Sequence, residues 1–259
     1  MISLGLGLQN ANKPSESGFS LTDIAGLQLW GKNQTGVTTG TTLTWADQSG
    51  NGHDLKQTVV NSQPTYSSSD GGFDFAGSSP GVPLYLDFHP SGNLSLGAFS
   101  AFFVIEMNQG KAFDFYGLTQ STSDPNNSYI MMYANSKPLC YNYVVGGPNA
   151  NQKVNALQST NSIPGNIKFI YGITKSASVN ATTTFFNNEN RMAFSNSYSS
   201  TTPIALDVLG FKVNGDRSFN GKIYEVAIYN TFIDEQAPGG VDNDFNTIIN
   251  DLKERNGIA

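Results

Sequence analysis

The chain has 259 residues, enough for one large β-sandwich or two small domains. Charged residues make up 13% of it, hydrophobic residues 38% and aromatic residues 12%; with so little charge, about half the usual share, its surface rests on Asn, Ser, Thr, Gly and Gln. The net charge of -6, the pI near 4.8 and the lack of any Lys/Arg cluster exclude partners chosen by attraction to phosphate or anionic lipid, so neither nucleic acid nor a membrane surface is expected.

In chain order, Met1 to Leu8 is apolar, but it lacks the basic start and the length of a signal peptide and is too short to span a bilayer. Asn10 to Gly18 is polar, with Pro14 and Gly18, and reads as a linker. Residues 1–18 are therefore expected to form an arm and linker, and 19–259 one domain, since no repeat or change of composition divides the remainder.

The body opens with a strand at Ile24 to Trp30, with Leu27 and Leu29 expected on one face. Leu43 to Trp45 forms another and runs into a dense turn, Asp47 to Leu55. There Gly50 and Gly52 permit positive φ, while Asp47, Ser49 and Asn51 are placed to accept from nearby amides in Asx-type turns. The same oxygens are hard donors suited to calcium, making Asp47, Asn51 and Asp54 the candidate metal ligands; a self-capped turn is the simpler reading, because the cluster lacks a bidentate glutamate.

Short alternating runs follow, separated by Gly, Pro, Asn and Ser, from Phe73 to Phe75 through Ile223 to Tyr229. Such spacing with no helical period between runs marks an antiparallel two-sheet sandwich. Ser100 to Glu106 and Ile167 to Ile173 are continuous enough to lie mid-sheet, and Thr182 to Arg191 reads as a hairpin around an Asn-rich turn. In Ile223 to Tyr229 strict alternation sets Ile223, Glu225, Ala227 and Tyr229 against Tyr224, Val226 and Ile228, with one mainly apolar side packing inward. Glu225 is then either a partly buried carboxylate needing backbone donors or an exposed strand residue. The weakly patterned stretch Gly146 to Gly165 is a binding loop or a surface excursion.

Only the end is helical, at about 241–255. Val241, Phe245, Ile248, Ile249 and Leu252 share one face, Asp242 and Asp244 lie near its start, Lys253 and Arg255 near its end, and Gly257 follows. Docking of that stripe on the chain's own sandwich is expected.

Four segments in this order resemble the laminin-G-like, concanavalin-A-like jelly-roll domains, especially those of tailed-bacteriophage structural proteins. They are Asp23 to Trp30, matching an Ile-x-Gly-Leu-x-Leu-Trp first strand; Trp45 to Leu55, matching a Trp-x-Asp-x-Ser-Gly-Asn-Gly turn, with Pro64 after it; Phe219 to Asn230, matching Phe-x-Gly-x-Ile-x-Glu-Val; and the closing helix with Gly257-Ile258, where Asn256 stands in place of the family's aromatic residue. The resemblance implies an all-β, antiparallel two-sheet jelly-roll sandwich with a C-terminal helix. It also implies a structural role for Glu225.

No catalytic constellation is apparent. Glycosidases of this fold carry paired carboxylates at close spacing, because retention needs them roughly 5–5.5 Å apart, and the glutamates here (Glu16, Glu106, Glu189, Glu225, Glu235 and Glu254) do not cluster. Glu106 and Glu225 have only a chance meeting across strands in their favour. His53 and His89 lack a nucleophile at recognisable spacing, the single Cys140 lies in an apolar run and reads as inert, and no phosphate-binding glycine loop is present.

The expected function is that of a non-enzymatic phage virion protein, a capsid decoration, neck or tail accessory subunit assembled in the host cytoplasm, with other virion proteins as partners or as a homo-oligomer. The alternative is a lectin-like module contacting host glycans through loop aromatics such as Tyr116, Tyr129, Tyr141 and Tyr143. No cofactor is expected beyond the candidate calcium.

Overall fold

The computed structural model of the chain describes residues 18–75, 82–88, 93–108, 114–120, 129–134, 140–145, 166–175, 181–186, 190–195, 203–210, 219–233 and 244–258. The N-terminal arm, the loop from Gly146 to Gly165, His89 and Val241 lie outside the described residues.

The strands are β1 (Leu27–Gly31), β2 (Val37–Thr38), β3 (Leu43–Trp45), β4 (Leu55–Gln57), β5 (Thr65–Tyr66), β6 (Phe73–Asp74), β7 (Tyr85–Asp87), β8 (Leu94–Leu96), β9 (Phe99–Met107), β10 (Asp114–Gln120), β11 (Tyr129–Ala134), β12 (Cys140–Val145), β13 (Lys168–Lys175), β14 (Ala181–Phe186), β15 (Asn190–Ser195), β16 (Ile204–Leu206), β17 (Val208–Gly210) and β18 (Gly221–Tyr229), followed by helix α1 (Asp244–Asn256). One sheet runs β15-β14-β13-β9-β18-β6-β5, with β1 also on β18; the second runs β12-β11-β10-β17-β7-β4-β3-β2; β8 and β16 form a separate pair. Every pairing among the described residues is antiparallel, as the turn-rich spacing predicts.

The central strands of the first sheet, β9, β13 and β18, are buried on both faces. Inward, Phe103, Ile105, Tyr171, Ile223, Val226 and Ile228 meet Trp45, Leu55, Leu86, Ile130 and Leu209 of the second sheet. Outward, Phe102, Val104, Ile170, Tyr224, Ala227 and Tyr229 are covered by Phe245, Ile248, Ile249 and Leu252 of α1 and by Leu21, Ile24 and Trp30. This explains the unbroken apolar run of β9, whose alternate residues serve two cores. Each fully buried phenylalanine contributes about 2–3 kcal/mol by removal of apolar area from water.

Two expectations fail here, both through bulges. The register shifts between Leu27 and Leu29, so Leu29 joins the inner core and Leu27 the outer one instead of sharing a face. A second shift, between Ile223 and Glu225, breaks the alternation of β18: Ile223, Val226 and Ile228 point inward, Tyr224, Ala227 and Tyr229 outward. β18 thus has no solvent face. The aromatic residues Tyr116, Tyr129, Tyr141 and Tyr143 fall in strands β10, β11 and β12 instead of loops, and their side chains lie outside what is described.

The closing helix docks on its own sandwich, as expected, and ends in a Schellman motif. Gly257 has φ 63°, the Ile258 amide donates to Lys253 O at 2.9 Å and the Gly257 amide to Glu254 O at 3.3 Å. Gly221, at the head of β18, is required for a different reason: a Cβ there would collide with the Glu106 carbonyl of β9.

Candidate functional site

Two polar clusters stand out, and they differ in how their hydrogen-bonding groups are used. The first is the turn between β3 and β4. Asp47 Oδ1 accepts from the amides of Trp30 and Ser49, both at 2.9 Å, while Oδ2 accepts from Ser49 Oγ at 2.7 Å and the His53 amide at 3.0 Å. Asp54 Oδ1 accepts from the Asp47 amide at 3.0 Å, and Asn51 Nδ2 donates to Leu27 O at 2.8 Å. Ser49 Oγ also lies 3.0 Å from Gln28 O. Gly50 and Gly52 take the positive φ that the sequence predicts.

The turn therefore does more than cap itself. It closes the edge of β1 that is not paired with β18, satisfying amides and carbonyls that would otherwise be exposed. The three candidate calcium ligands Asp47, Asn51 and Asp54 are brought into this one network. Both Asp47 oxygens and Asp54 Oδ1 accept from backbone amides, Asp54 Oδ2 pairs with Lys56 at 3.0 Å, and Asn51 faces two carbonyls with its amide nitrogen. Among the described residues no group of three or more His, Cys, Asp or Glu side chains is arranged to hold a metal.

The second cluster lies where the end of α1 meets the loop after β1. Glu225 is fully buried. Its carboxylate accepts from Trp30 Nε1 at 2.8 Å and Asn256 Nδ2 at 2.7 Å, and Arg255 Nε lies 3.1 Å from Oε1. The donors are side chains, where the sequence suggested backbone. Arg255 also pairs with Asp251 one turn earlier, and burial pushes the Asp251 carboxyl up against the pull of that guanidinium. Asn256, in the place of the family's aromatic residue, fixes the helix end to β18 and receives Asn33 Nδ2 on its own Oδ1 at 2.8 Å.

Over this cluster opens a cleft of about 560 Å³. Residues 32–35 after β1 form one wall, Ser69 and Asp70 of the β5–β6 hairpin another, and Lys168 of β13 with Arg255 and Asn256 the rest. The hairpin fits because Gly71, at φ 80°, has no Cβ where Asn33 Oδ1 sits. That oxygen is buried without a donor.

The charges in the cleft fall into two groups. Lys222 binds Asp70 at 2.7 Å; partial burial raises the Asp70 carboxyl, but Lys222 and the Gly72 amide outweigh it and hold it at about 2. Tyr224 Oη donates to Glu106 at 2.7 Å, and burial first, then that bond, pushes the phenol up, so it keeps its proton. Lys168 Nζ instead sits 3.9 Å over the Tyr224 ring and 3.4 Å from Asn256 O at the helix C-terminus, ion-paired with no carboxylate among the described residues. Burial pulls its pKa down. Lys32 Nζ lies 5.0 Å from the centroid of the Trp30 ring and is near enough to Asp251 to interact with it electrostatically, without an ion pair among the described residues.

Glu106 and Glu225 are on adjacent strands, as the sequence allowed, yet each carboxylate is committed to structural donors. The paired-carboxylate arrangement of a retaining glycosidase needs both groups facing a substrate, and Glu225 has no exposed surface. Sequence reading missed the cleft because its walls come from four distant segments of polar residues, which carry no periodic signal. The one local hint was Asn256.

No protein-family model matches the chain, and no curated protein matches it. Solved structures do. The binding domain of botulinum neurotoxin DC in complex with SialylT aligns with TM-score 0.59 at 18% identity, over 90% of this chain and 52% of that one. The sialidase of Trypanosoma rangeli aligns with TM-score 0.52 at 10% identity, over 82% of this chain and 31% of that one. The chain thus spans about half of the toxin domain and a third of the sialidase. At these identities the likeness is one of fold, and the fold is an antiparallel β-sandwich of the jelly-roll, concanavalin-A-like type with a C-terminal helix packed on one sheet.

Proposed function

We propose that the chain is a non-catalytic carbohydrate-binding module whose site is the cleft between the β1 loop, the β5–β6 hairpin and the end of α1. The observation that carries this reading is the composition of the cleft: an open concavity of about 560 Å³ walled by amides, hydroxyls, two ammonium groups, the Arg255 guanidinium and the Asp70 carboxylate. Sugars present many hydroxyls that donate and accept, and such walls match them. The toxin binding domain solved with SialylT, which shares the fold, points the same way. The test is a glycan array probed with the whole chain and with an Asn33→Ala, Thr35→Ala double variant. Hits that the double variant loses are expected; an array without hits would contradict the reading.

A second reading, a virion structural subunit, is favoured by the ordered motif set from Asp23 to Ile258. In it, residues 1–18 are an arm that anchors the domain in a neighbouring virion protein or a second copy. Deleting Met1 to Gly18 should then leave a folded domain that no longer joins particles, and normal incorporation of the truncated chain would rule this reading out.

A further inference from the structure

We infer that the ligand of this cleft is an anionic saccharide, its acidic group received by Lys32 and Lys168. The inference rests on the cleft being a saccharide site and adds the class of sugar.

The argument is one of charges already committed and charges still open. The residues lining the cleft carry three cations, Lys32, Lys168 and Arg255, and one carboxylate, Asp70. Arg255 is held by Glu225 and Asp251, and Asp70 by Lys222. The carboxylates that balance the region are thus turned away from the cavity: Glu225 is fully buried and Asp251 only 16% exposed. Two ammonium groups remain. An ammonium has three donors; Lys168 uses one on the helix-end carbonyl and rests on the Tyr224 ring, and Lys32 rests on the Trp30 ring. Neither forms an ion pair with a carboxylate among the described residues.

Partial burial of Lys168 costs free energy: it pulls the ammonium pKa down although Asp70, Glu106 and Glu225 attract it from a distance, and none of the three forms an ion pair with it. In a chain of net charge -6 such a group is the less expected, since acidic side chains to pair with it are plentiful. A carboxylate or sulfate on the ligand would complete both ammonium groups in charge-assisted hydrogen bonds.

The experiment is an array of matched neutral, carboxylated and sulfated forms of the same oligosaccharide cores, for example lactose, sialyllactose and sulfolactose. It is probed with the wild-type chain, Lys32→Gln, Lys168→Gln and, as a remote control, Lys56→Gln. Hits confined to anionic members are expected, with apparent affinity falling about tenfold or more in Lys32→Gln and in Lys168→Gln and unchanged in Lys56→Gln, the loss that follows from removing one charge-assisted bond. Lys32 lies on a loop, so its variant keeps the test valid even where Lys168→Gln lowers the melting temperature. Equal binding of neutral and anionic members, or anionic hits that both cleft variants retain, would overturn the inference and leave the saccharide reading standing. No binding to any member would overturn both.

Discussion

The turn at Asp47 to Asp54 and the cleft at Lys32 and Lys168 are both dense in polar side chains, yet they are built for opposite ends. In the turn, Asp47 accepts four hydrogen bonds, three of them from backbone amides, and Asn51 donates to the carbonyls of β1. In the cleft, Lys32 and Lys168 rest on aromatic faces, ion-paired with no carboxylate among the described residues. A polar cluster whose carboxylates and amides chiefly serve the backbone holds a fold together. One with ammonium groups left open is where a ligand has something to bind.

The sharpest way to break the comparison is to remove the carboxylate beneath the cleft. Glu225→Ala leaves Arg255, Asn256 and the Trp30 indole facing an emptied buried site, and a loss of about 3–5 kcal/mol in urea unfolding is expected; a loss under about 1 kcal/mol would show that the cluster is not integral to the docking of α1. Next comes Asp47→Ala. It frees three backbone amides at once, and a cost of about 2–3 kcal/mol is expected, with the amides of Trp30 and Ser49 exchanging faster with solvent.

A smaller effect separates the hairpin ion pair from both. The Asp70 carboxyl is held at about 2, below its ordinary 3.8, so its stabilising contribution is present above pH 3.8 and is lost as pH falls towards 2. The side chain is 35% exposed, and solvent screening leaves the contribution at or below about 1 kcal/mol. Wild type should therefore exceed Asp70→Asn in urea midpoint at pH 5, and the two should converge near pH 2; a constant gap across that range would remove the ion pair from the account. The smallest effect concerns calcium. With Asp47, Asn51 and Asp54 engaged in the turn, we propose that it holds without a metal, so melting in EDTA and in millimolar calcium should coincide; a rise of several degrees with calcium would show that a cation joins the turn.

Much of the sandwich was legible in the sequence, and for physical reasons. Alternation, glycine positions and the apolar stripe Phe245, Ile248, Ile249, Leu252 are local signals of local structure. Three of the four motifs proved to be fold-building devices: the Asp47 turn closes the free edge of β1, Gly221 admits the Glu106 carbonyl, and Gly257 ends the helix. They therefore speak for the jelly roll, and the virion role rests on them only through family resemblance. The bulges at Leu27/Leu29 and Ile223/Glu225 were not legible, because a one-residue shift reverses every inward and outward assignment without changing composition. The cleft was hidden for a related reason. Lys32, Asp70, Lys168 and Asn256 become neighbours only through long-range pairing, and each alone looks like an ordinary surface residue.

The comparison between the two clusters is tested most directly by amide NMR of the uniformly labelled chain titrated with a saccharide that binds on the array. Shifts concentrated at residues 32–35, 69–70, 168 and 255–256, with Asp47 to Asp54 unmoved, are the predicted result. Shifts centred on the Asp47 turn, or a cleft that stays silent while the saccharide binds elsewhere, would contradict it.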